Sequence, residues 1–138
     1  GDRGMDGMTG TEPSERRDWV SGRASYAVAW GLPSAALVAA IWAEPGLRTI
    51  AWAAALVWMG TACLANARRC GRVHCHFTGP FFLVMALVVV LHGLGVVALG
   101  PRGWMWIGVA IALGTAAIWI LTEQVWGRYR DRRDLQRR

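Results

Sequence analysis

The sequence predicts an all-α membrane protein: a four-helix transmembrane bundle of two hairpins, with both termini cytoplasmic. Three observations predict it. The 138 residues are 54% hydrophobic and only 17% charged, whereas soluble domains carry about a quarter charged residues. The apolar residues gather into four nearly charge-free runs, each close to the roughly 20 residues an α-helix needs to cross the hydrocarbon core. None of the runs alternates polar and apolar side chains, as a membrane β-strand must.

Residues 1–25 form a polar tail, expected in the cytoplasm. Within it Glu12-Pro13-Ser14-Glu15 has the residues that open a short helix. The start is acidic and glycine-rich and the first apolar run exceeds a signal-peptide core, so no cleavable signal is expected. The first span is placed at 26–43. Pro33 lies inside it and is expected to kink it, which neighbouring helices make tolerable in a membrane. Glu44-Pro45-Gly46-Leu47-Arg48 reads as a tight turn, since Pro-Gly supplies type II turn chemistry. The second span is placed at 49–67. Ala36 and Ala40 on the first span and Ala51 and Ala55 on the second give small residues four apart, which let helix backbones approach.

Residues 68–80 read as a cytoplasmic loop, with Gly79-Pro80 opening the third span at 81–99. Gly100-Pro101-Arg102-Gly103 reads as another tight turn, followed by the fourth span at 104–121. Trp104 and Trp106 suit an outer aromatic belt. Residues 125–138 are a basic cytoplasmic tail. All 15 basic residues are arginine. They crowd the two tails and the 68–80 stretch, while the two tight turns hold only Arg48 and Arg102. The positive-inside rule then puts both termini and the central stretch in the cytoplasm. The net charge of +6 is thus a membrane-flanking pattern, and nucleic acid is not expected as a partner.

The central stretch holds most of the chemistry. Cys70, His74, Cys75 and His76 bring two thiols and two imidazoles together. Such donors suit soft ions, and nearby Arg69 and Arg72 would favour the thiolate that binds metal. Their spacing matches no standard zinc-finger pattern. Adjacent residues on an extended chain point apart, so two or three ligands to one ion are expected. Low coordination favours Hg(II) first and Cu(I) second, with Zn(II) also considered. Cys63 lies seven residues before Cys70, on the same helical face and about two turns deeper. Met59 is a further turn in. On the third span Met85 and His92 also share a face, and with Met59 and Cys63 they suggest a relay of soft ligands through the membrane. An ionisable residue such as His92 inside a span is a functional candidate by default. Asn66 and Thr78 are read as supports or helix caps beside the loop. Glu123 is read as a partner of Arg68 or Arg69, or as a ligand. No catalytic residue is assigned and an enzyme is not expected.

Four spans, small size and cysteines on the cytoplasmic side resemble the small mercuric-ion uptake proteins of bacterial mercury-resistance operons. The resemblance implies an ion passed along cysteines to the cytoplasmic side and on to a cytosolic acceptor. In that family the first span carries a cysteine pair. The first span here carries none, so only Cys70 and Cys75 carry over, with Cys63 as an intramembrane relay. The string from Asn66 through Cys70, His74 and Cys75 to Thr78-Gly79-Pro80 also resembles a motif of small prokaryotic four-span proteins. The leading expectation is therefore a soft-metal binding and transport protein of a bacterial inner membrane. Its expected partners are the lipid bilayer, a cytoplasmic metal acceptor and further copies of itself. A non-catalytic accessory or assembly subunit of a larger membrane complex is the alternative, as is a dithiol redox sensor.

Overall fold

The computed structural model describes residues 22–70 and 73–126, without the side chains of Cys70 and Trp126. These residues form four helices, each long and apolar enough to cross a membrane: α1 (Arg23–Trp42), α2 (Pro45–Cys70), α3 (Val73–Gly93) and α4 (Gly103–Trp126). No strand occurs among them. The chain is therefore a four-helix protein of the multi-pass membrane type, as its composition predicted. The tails at 1–21 and 127–138 lie outside the described residues, and the short helix expected to start within 12–19 lies there too.

α1 is not uniform. It winds as α-helix over Arg23–Tyr26, as π-helix over Ala27–Gly31, as α-helix over Leu32–Ala39 and as 3₁₀-helix over Ala40–Trp42. The wide turn sits immediately before Pro33, which is buried. Proline lacks an N–H and its ring crowds the carbonyl four residues back, here Ala29. A π-turn relieves that crowding, so the expected kink takes the form of a widened turn.

The turn between α1 and α2 is shorter than expected. Ala43 is extended, and the Glu44 carbonyl already accepts the Arg48 N–H at 2.9 Å. Pro45 and Gly46 belong to α2 rather than to a type II turn. The reason is that proline's fixed φ suits the first helical position, where its missing N–H is unneeded.

The central stretch differs from expectation in two ways. Residues 73–80 are helical, not loop, and α2 runs on to Cys70. Pro80 stands inside α3 instead of at its start. Glycine and proline, turn signals in water, are admissible within a packed membrane helix.

At its other end α3 stops at Gly93, well short of 99. Gly95 takes φ +75°. Val96 N–H donates to Leu91 O at 2.9 Å, and Gly95 N–H donates to His92 O at 3.0 Å. These two bonds make a Schellman cap, which a left-handed glycine permits. The Gly100–Gly103 turn is present as expected, closed by Gly103 N–H to Gly100 O at 3.0 Å.

α2 and α3 are the centre of the molecule. About half of the apolar window of each is buried (50% and 44%), against 17% for α1 and 11% for α4. Glycine brings the two central backbones together. A Cβ at Gly79 would lie 2.7 Å from Leu64 Cγ and 3.2 Å from Gly60 O. α1 packs on α2, and α4 packs on α3. Among the described residues α1 and α4 share no close backbone contact, which leaves a cleft between them. Of the small residues expected at the α1–α2 contact, Ala40 and Ala55 are buried, whereas Ala36 and Ala51 line a shallow groove. Large apolar side chains on every helix face outward, among them Leu32, Val57, Leu87 and Leu113, as lipid-facing positions do.

At the end remote from Cys70, Trp104 packs inward, unlike a belt residue. Its ring meets Trp52 edge-on at 5.5 Å and lies under the Arg48 guanidinium at 5.3 Å. Trp106 is exposed.

Candidate thiol site between the central helices

The site forms where α2 and α3 converge on their connecting turn. Cys63 and Asn66 are three apart on α2 and so share a face. Cys75 lies in the first turn of α3 and meets that face. Both thiols are buried, with Cys75 fully enclosed and Cys63 1% exposed, and both are free. The two side chains belong to one buried cluster across the helix pair. Asn66 is also fully buried, and its amide Nδ2 donates to Cys75 Sγ at 3.8 Å. It is therefore not a helix cap. Its place is inside α2, where its amide is directed at a sulfur.

A second line of contacts leaves Cys75 toward α4. His74 Nε2 is 3.5 Å from Cys75 Sγ, and its Nδ1 is 3.7 Å from Glu123 Oε1. The His74 ring also faces Trp119 at 6.0 Å. Trp30 of α1 lines the same cavity as Cys63. All four helices thus contribute to one cluster.

The structure brings some expected residues together and separates others. His74 meets Cys75, and Met59, Cys63 and His74 line the same cavity. Cys70 ends α2, and its side chain and the whole of Arg72 lie outside the described residues. His76 and Arg69 are exposed. Met85 is buried in the apolar core. His92 lies seventeen residues along α3 from Cys75, about 25 Å at helical rise. There its Nδ1 is 2.9 Å from Val97 O and its ring packs on Trp104 at 5.2 Å. It belongs to the remote helix end, while Met59, Cys63, Cys75 and Met85 share one buried cluster. Among the described residues no three His, Cys, Asp or Glu side chains converge as a ligand cage.

Thr78 was expected as a cap and is instead buried in α3, lining the cavity. Sequence reasoning missed Trp30, Phe82 and Trp119, which wall the same cavity. No spacing rule marks them, because tryptophan and phenylalanine occur throughout membrane helices as packing. Comparison of the chain with protein-family models, curated proteins and solved structures finds no match.

Proposed function

We propose that the protein binds a soft metal ion between Cys63 and Cys75 and moves it across, or hands it on from, a bacterial inner membrane. The observation that carries this reading is the pair itself: two buried thiols on facing helices, packed in one cluster. Two thiolates suffice for an ion that accepts linear coordination, whereas structural zinc takes four ligands. Mercuric ion is the first choice and Cu(I) the second. Met59, one turn from Cys63 on the cavity wall, offers a weaker sulfur from which the ion can be exchanged. Binding releases the two thiol protons, and ligand substitution by an acceptor's thiolates would remove the ion.

The arginine distribution supports an orientation with both termini and the α2–α3 turn in the cytoplasm. The thiol pair then lies near the cytoplasmic face, where a soluble acceptor can approach. Retention of Hg(II) and Cu(I) by the detergent-purified protein tests the reading. The wild type is expected to hold about one ion per chain, and a Cys63→Ser/Cys75→Ser variant almost none. Equal retention by the two proteins would sink it.

A further inference from the structure

The cavity beside the thiol pair has features that metal binding does not use. It encloses about 250 Å³ and draws its walls from all four helices, including Trp30, Cys63, Thr78, Phe82 and Trp119. It lies between α1 and α4, which share no close backbone contact among the described residues. Its surfaces are largely apolar and aromatic, which suits a flat ring that can stack.

Thr78 supplies the polar contact. Five threonines fall among the described residues. Four of them, Thr49, Thr61, Thr115 and Thr122, donate to the carbonyl four residues back at 2.6–2.9 Å. Thr78 is 3% exposed, yet its hydroxyl has no hydrogen-bond partner. A buried hydroxyl without a partner is costly, and a ligand oxygen accepting from it would remove that cost. The wall also carries Cys63, which is packed in one buried cluster with Cys75. A dithiol gives up two electrons and two protons together.

We propose that this cavity receives the headgroup of a membrane-soluble quinone and that Cys63 and Cys75 reduce it. One ring carbonyl accepts the Thr78 hydroxyl hydrogen bond. Both S–H bonds break and one S–S bond forms between Cys63 and Cys75. The two electrons and two protons pass to the quinone oxygens, giving the quinol. This reduction needs no metal and stands apart from the metal-binding reading.

The test uses the full chain in lipid nanodiscs, reduced and kept anaerobic, in a Cys70→Ser background that leaves Cys63 and Cys75 as the only thiols. The probe is decylubiquinone, whose fully substituted ring resists thiol addition. The expected result is about one quinol per chain, with loss of both thiols that dithiothreitol reverses. Adding Cys63→Ser should abolish quinol formation. Adding Thr78→Val should slow it about tenfold, the loss of one hydrogen bond. Absence of quinol from the folded background protein overturns the proposal, as does undiminished quinol from the Cys63→Ser chain. A Thr78→Val rate equal to the background's overturns the cavity as the site. Failure here with metal retained leaves the metal reading standing, and the converse result removes only that reading.

Discussion

Gly79 sets the spacing of the central helices, because a methyl group there would collide with Leu64 and the Gly60 carbonyl. Gly79→Ala is expected to destabilise the protein by about 1–3 kcal/mol, the usual range for overpacking. A thermal midpoint in detergent equal to the wild type's would show that the helices are not held this close. Asn66→Ala removes the donor to Cys75 and opens a small void, with an expected loss of about 1–3 kcal/mol in the same assay. At this scale the sequence marked Cys63, Cys70 and Cys75 and read Cys70 with Cys75 as ligands. Cys70 and Cys75 are the nearer in sequence, but across a helical hairpin residues pair in antiparallel register about the turn. Asn66 with Cys75, Gly60 with Gly79 and Thr49 with Gly93 follow that register. By the same register Cys63 packs in one cluster with Cys75.

At the scale of elements, the four apolar runs were legible because charge is excluded from hydrocarbon. Their ends were not, since helices continue past the hydrocarbon wherever backbone geometry permits. The cap at Gly95 ends α3 early, while no comparable signal stops α2 before Cys70. The π-turn in α1 is the element most exposed to test. Pro33→Ala restores an N–H and removes the crowding at Ala29, so Ala27–Gly31 can close ordinary α-helical bonds. That change of winding rotates Trp30 relative to Cys63. Alkylation of Cys63 by N-ethylmaleimide, followed by mass spectrometry, is expected to accelerate several-fold. An unchanged rate would mean that Trp30 does not shield the thiol.

The whole molecule is built as a central hairpin with one helix laid on each side. The proposed orientation puts the α3–α4 connection on the periplasmic side of the inner membrane, and Val96 is exposed there. In the Cys70→Ser background, Val96→Cys is expected to be labelled in intact cells by a membrane-impermeant maleimide. Labelling only after lysis would reverse the orientation. The unequal burial of the helices also has a consequence for assembly. The contacts between α2 and α3 are local in sequence, and local contacts form early. The hairpin can therefore close as the first folded unit, with α1 and α4 joining a surface already made. Mechanical extraction from the C-terminus should then remove α4 at low force and meet its main resistance only on reaching α3.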